Sequence, residues 1–188
     1  MAMTPRPRRS ILYMSGSNAR ALEKGRSLAA DGLIFDLEDS VAPDAKETAR
    51  SQILDALNEG GYGHRELIVR VNAMDSPWGK KDITTMATSG AHGILLPKVN
   101  SAVMVQEAEA LMAASNAPDE MTIWTMMETP LGILHGKEIA FSSPRMGAFV
   151  LGTSDLAKDL HCAHTQERLP MITSLGLCIL AARAAGID

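Results

Sequence analysis

Apolar positions along the chain gather into six short runs: "ILYM" (11–14), "GLIFDLE" (32–38), "ELIVRVN" (66–72), "GILLPKV" (93–99), "MTIWTMME" (121–128) and "GAFVLGT" (147–153). Most are continuous rather than alternating, the pattern of parallel strands covered on both faces. Between them lie the helix-like segments "ARALEKGRSLAA", "DAKETARSQILDALNEG", "GKKDITTMATSG", "SAVMVQEAEALMAAS" and "LGILHGKEIAFS". Asp44, with Glu47 three residues on, resembles a capping arrangement at the second of these. Gly32, Gly60, Gly61 and Gly90 stand where helices give way to strands. The pattern predicts a β–α unit repeated six times, with "MITSLGLCILAARAAG" as the last apolar helix.

Two architectures fit such a repeat. A doubly wound open sheet calls for a G-x-G-x-x-G turn after its first strand, and the chain offers only "MSGSNAR" there. A TIM barrel calls for functional polar residues at the C-terminal ends of successive strands. They occur at that end in strand after strand: Asp36, Glu38 and Asp39, then Arg70 and Asn72, then Lys98, Glu128 and Asp155. The expectation is therefore an α/β fold, a TIM (β/α)8 barrel truncated after about six βα units.

One strand-end acid is usually a helix cap or a loop acceptor. Charges of both signs converging on one rim ask for more, because a buried charge is costly unless paired or metal-bound. Two carboxylates with room for water and substrate oxygens suit Mg²⁺. A metal beside an arginine would stabilise an alkoxide or enolate. The residues alone thus predict an Mg²⁺-assisted, oxyanion-forming barrel enzyme and name no substrate.

Composition narrows the class. The 188 residues are 46% hydrophobic, enough for one globular domain, and the net charge of -4 argues against a nucleic-acid surface. The basic cluster "RPRR" (6–9) reads as a solvated lead-in. No apolar run is long enough to span a membrane, and the N-terminus has no signal-peptide pattern. Cys162 and Cys178 lack paired-motif spacing and are expected to stay reduced, which suggests a cytoplasmic protein. "HCAH" (161–164) is too weak a pattern for a metal site and reads as a solvated loop. The methionines and Trp124 read as core filler.

The stretches "RRSILYMSGSNARALEK", "DGLIFDLEDSVAPDAKETAR", "RVN", "LPKV", "METPLGIL" and "LGTSDLAKDL" carry a resemblance. In order and spacing the chain resembles the citrate lyase β-subunit family, CoA-ester lyases of the HpcH/HpaI aldolase superfamily. "YMSG" departs from that family's commoner Pro-Gly turn. The resemblance implies a barrel that cleaves or forms a 3-hydroxyacyl-CoA by a reversible Claisen-type step. L-malyl-CoA would give acetyl-CoA and glyoxylate; (S)-citramalyl-CoA would give acetyl-CoA and pyruvate. It also implies Mg²⁺ held by Glu128 and Asp155, and Arg70 binding substrate oxygens and stabilising developing negative charge. Asp36, Glu38 and Asp39 would be the supporting acidic rim. Tyr13, Arg20 and Lys24 would contact coenzyme A, joined by Lys46 and Arg50.

The same resemblance implies two further strands and a C-terminal segment bearing a catalytic carboxylate offered to a neighbouring subunit. Residues 1–188 are therefore expected to be a single partial catalytic domain, and the protein a homo-oligomer. A malyl-CoA thioesterase is the near alternative to a lyase. A CoA-independent 2-oxo acid aldolase and an inactive CoA-ester-binding fragment are the others.

Overall fold

The computed structural model describes residues 6–188; the first five residues of the expected 1–188 domain lie outside the described residues. Six parallel strands form one sheet in sequence order: β1 (Ile11–Ser15), β2 (Gly32–Asp36), β3 (Glu66–Arg70), β4 (Gly93–Leu96), β5 (Thr122–Met127) and β6 (Met146–Leu151). The helices are α1 (Ala19–Gly25), α2 (Lys46–Glu59), α3 (Gly79–Met86), α4 (Ala102–Ala114), α5 (Pro130–Leu134), α6 (Gly136–Ala140), α7 (Thr153–Asp159) and α8 (Ile172–Ala185). Every residue of β2, β3 and β4 is buried, as their unbroken apolar runs predict.

The core has two layers. Ile34, Ile68, Leu95, Trp124, Met126 and Ala148 pack into their own cluster on one face of the sheet. The larger cluster, including Leu33, Phe35, Val69, Ile94 and Ile123, joins the other face to the helices. An inner cluster of side chains from neighbouring strands is the packing of a barrel interior. Side chains along a strand return to the same face every second residue. Two residues beyond Ile34, Ile68 and Met126 on that face come Asp36, Arg70 and Glu128. The apolar interior is thereby continued upward by charge.

At the opposite end of the strands, Arg8 forks onto both oxygens of the buried Glu66, at 2.7 and 2.8 Å. Its guanidinium lies 5.0 Å from the ring centre of Trp124 and also pairs with Asp188. This corrects the reading of residues 6–9 as a solvated tail at Arg8, while Arg6, Pro7 and Arg9 are exposed. The Arg8 side chain is only 14% exposed, because the buried Glu66 needs a counter-charge. Arg9 pairs with Asp31 while remaining 80% exposed. Beyond α8, Asp188 O accepts from Phe149 N (2.8 Å) and Asp188 N donates to Gly147 O (3.2 Å). The backbone re-enters beside β6 in the manner of a further parallel strand.

Local expectations changed in three places. "LGILHGKEIAFS" is two short helices meeting at His135 rather than one. Thr153, expected at the end of the sixth strand run, opens helix α7, with Asp155 in its first turn, where the helix dipole favours a carboxylate. No capping box forms at α2: Pro43–Ala45 makes a 3₁₀ turn, and Ala45 is the N-cap. On α8, Ile172, Ile179 and Leu180 are each more than half exposed. No helix among the described residues is long and apolar enough to cross a membrane.

Candidate active site

The rim at the C-terminal ends of the strands divides into two groups. The first is built on Arg70. Asp36 and Arg70 are cross-strand partners in the β2–β3 register. The guanidinium meets Asp36 through Nε–Oδ1 (2.6 Å) and Nη2–Oδ2 (2.7 Å). Its remaining nitrogen, Nη1, reaches Glu38 at 2.9 Å and Asp39 at 3.3 Å. The Tyr13 ring stacks over it, 5.2 Å from Cζ. Burial works to raise the Asp36 carboxyl, but the Arg70 fork wins and holds it below its ordinary value. The same carboxylate accepts from the backbone N–H groups of Glu38 (2.9 Å) and Ser40 (3.1 Å). Asp36 therefore shapes the loop after β2 as well as orienting Arg70. Burial raises the Tyr13 phenol to about 12, so it stays protonated near neutrality.

Two residues expected to bind coenzyme A turn out to hold this group from behind. Lys46 is buried and its ammonium donates to the carbonyls of Leu37 and Glu38, both at 2.7 Å. Arg50 is buried against Asp82, with Nε–Oδ1 at 2.6 Å. The other Asp82 oxygen accepts from the Asn72 backbone and side chain, at 3.0 and 2.7 Å. Lys46 and Arg50 are thus engaged inside the protein, where their charges satisfy loop carbonyls and a buried acid, and they are not presented to a ligand. Asp82, unmarked by any strand-end pattern, organises the loop after β3. Arg20 and Lys24 are exposed on α1, which starts just beyond the end of β1 on the rim side.

The second group contains Glu128 and Asp155. Glu128 follows β5 directly and is only 3% exposed. Its Oε1 accepts from Lys98 N at 2.8 Å. Thr129 caps α5 by accepting from Gly132 N at 3.0 Å, so the strand must end before Thr129, and Pro130 opens the helix. Burial pushes the Glu128 carboxyl up to about 7, with Glu38 and Asp155 adding to the rise. Room for this carboxylate depends on Gly152. A Cβ there would lie 2.3 Å from Glu128 Oε2 and 2.6 Å from Glu128 Cβ.

Lys98 joins the two groups. Its ammonium is 2.6 Å from Glu38 Oε1 and 3.6 Å from Asp155 Oδ2. Burial works to lower its pKa, but Glu38 prevails and raises it to about 12. Its strand-end position was visible in "LPKV", whereas its reach to two carboxylates on other loops was not.

The donor set fits Mg²⁺. Among the described residues no cluster of three or more metal-binding side chains occurs, but this ion needs only one or two protein carboxylates and keeps several waters. Glu128, buried in a glycine-lined niche and short of compensating charge, is a carboxylate that a cation would stabilise. "HCAH" takes no part: His164 lies 3.3 Å from Thr153 Oγ1 in an exposed contact. A cavity of about 450 Å³ opens at the opposite end of the strands, beside Arg8, Glu66 and His92, away from these carboxylates.

The family described as HpcH/HpaI aldolase/citrate lyase matches residues 9–188. A protein named (3S)-malyl-CoA thioesterase from Cereibacter sphaeroides is 49% identical over 187 residues, covering 100% of this chain and 63% of its own. The chain thus spans less than two thirds of that curated relative. Among solved structures, the citrate lyase β subunit of Mycobacterium tuberculosis complexed with oxaloacetate and magnesium is similar at TM-score 0.78 and 25% identity, covering 96% of this chain and 77% of that one. The M. tuberculosis protein CitE in complex with magnesium, acetoacetate and coenzyme A has TM-score 0.73 at 25% identity, covering 96% of this chain and 65% of that one.

Proposed function

Because the chain belongs to the HpcH/HpaI aldolase/citrate lyase family, we propose that it acts with Mg²⁺ on a malyl-CoA-type 3-hydroxyacyl-CoA, hydrolysing the thioester. The observation that carries this reading is the presence on one rim of a fixed guanidinium, Arg70, and an under-compensated buried carboxylate, Glu128, with Asp155 beside it. The 49% identity to the malyl-CoA thioesterase favours hydrolysis. Carbon–carbon cleavage to acetyl-CoA and a 2-oxo acid is the second reading, supported by the likeness to a citrate lyase β subunit complexed with oxaloacetate and magnesium.

Glu128 and Asp155 would hold the ion, which supplies Lewis-acid polarisation of a substrate oxygen. Arg70 contributes a cation already locked in place by Asp36, Glu38 and Asp39, so it need not reorganise as negative charge develops. Lys46 keeps the loop of Glu38 and Asp39 in place through its carbonyls. Tyr13 covers the guanidinium and limits its hydration. The exposed Arg20 and Lys24 are the cations offered to the phosphates of coenzyme A.

The test incubates the protein with (3S)-malyl-CoA and Mg²⁺ and follows free thiol and oxo acid separately. Thiol without oxo acid is the expected result. Oxo acid without thiol would establish the lyase instead, and neither product would remove malyl-CoA as the substrate.

A further inference from the structure

Lys98 has a backbone conformation that its side chain does not favour. Its φ is +50°, the left-handed region in which glycine or asparagine is at home. Its backbone N–H is donated to Glu128 Oε1, a bond that any residue but proline could supply. The lysine side chain must therefore gain something elsewhere, and its contacts show what. Its ammonium makes a short bond to Glu38 and a longer contact to Asp155, with Glu128 and Asp39 also facing it and Arg70 beyond Glu38. At 43% exposure the side chain has room to move.

We propose that the Lys98 ammonium is a resident cation that competes with the divalent metal: it balances Asp155 and Glu128 while no ion is bound, and it gives up Asp155 when one enters while staying on Glu38. The proposal rests on Glu128 and Asp155 being the metal pair. The unequal distances set which partner is released, since the 3.6 Å contact is the weaker. An ion bound by these carboxylates would bring two positive charges within several ångströms of a third. Even with water-like screening that repulsion amounts to about a factor of ten in affinity.

Calorimetric titration with Mg²⁺ of the wild type, Lys98→Gly and Lys98→Met tests this without reference to turnover. Glycine relieves the backbone and keeps the N–H to Glu128; methionine keeps the bulk and the strained φ. Both remove the charge. Both variants are expected to bind Mg²⁺ about tenfold more tightly than the wild type. Damage to a site loosens it, so tightening in both is the signature of a removed competitor. Unchanged or weaker binding in both would overturn the proposal. Tightening in the glycine variant alone would trace the effect to backbone relief and overturn it too. Failure of all three folded proteins to take up Mg²⁺ would instead remove the metal pair itself, and this inference with it.

Discussion

The two halves of the rim hold similar numbers of carboxylates, but Asp36 in the first and Glu128 in the second are pushed in opposite directions. Around Arg70, three acids share one guanidinium; the fork at 2.6 and 2.7 Å is closed, and Asp36 is held ionised. Around Glu128, one backbone N–H and part of a lysine's charge face the buried acid, and burial drives it toward its neutral form. Asp36 and Arg70 are paired within the folded protein, while the second half would be completed by the proposed cation. A site can thus be rigid where it must stabilise charge and unsatisfied where it must recruit an ion.

Breaking the half around Arg70 should have the largest effect. Arg70→Met leaves Asp36 buried without its ion-pair partner and is expected to cost about 3–5 kcal/mol in denaturant unfolding. Arg70→Lys should recover much of that stability. It cannot reproduce the planar fork, so turnover of (3S)-malyl-CoA should remain about 10²-fold down. Normal turnover in the lysine variant would make Arg70 only a structural partner.

The half around Glu128 should respond in the opposite sense. The folded-state pKa of Glu128 lies above the ordinary carboxylate value, so its ionisation opposes folding. That penalty is absent below about pH 4.5, grows as pH rises toward about 7, and is fully present above it. Glu128→Gln should therefore leave the metal-free protein unchanged at low pH and stabilise it at pH 8, by up to about 3 kcal/mol. The same variant should bind Mg²⁺ at least about tenfold more weakly by calorimetry. Lower stability at pH 8 would show that Glu128 is already compensated.

The smallest effect belongs outside both halves. Arg20→Ala with Lys24→Ala removes two exposed cations, so the melting temperature should not move. The KM for the CoA ester should rise by about 3- to 10-fold with kcat unchanged. An unchanged KM would leave α1 without a part in ligand binding.

Much of this was legible in the residue pattern. Six strands and the polar residues at their ends follow from the continuous apolar runs, and their order follows from the barrel reading. The runs nevertheless extend past the strands: Glu38, Asn72 and Lys98 lie in the loops beyond them, the first two still buried and Lys98 part-exposed. What the pattern concealed were pairings across long stretches of chain. Arg50 and Lys46 looked like free cations on a helix until Asp82 and two loop carbonyls were brought to them. Arg8 looked like a tail because its partners, Glu66 and Asp188, are 58 and 180 residues away. Lys98 stood in view, but its conformation and its carboxylate partners depend on loops that sequence spacing does not orient.

The strand order has a kinetic meaning. Each strand bonds to the one made just before it, so the sheet grows by adding neighbours, and no step closes a long loop. A chain emerging from the ribosome can lay down β1 to β6 in that order, each unit docking on a template already present. Arg8 is the exception. It docks on Glu66 once β3 exists, but its contact with Asp188 must await the synthesis of that residue. An arginine made before the first strand is thus fastened in two stages, first to β3 and then to a residue made after β6.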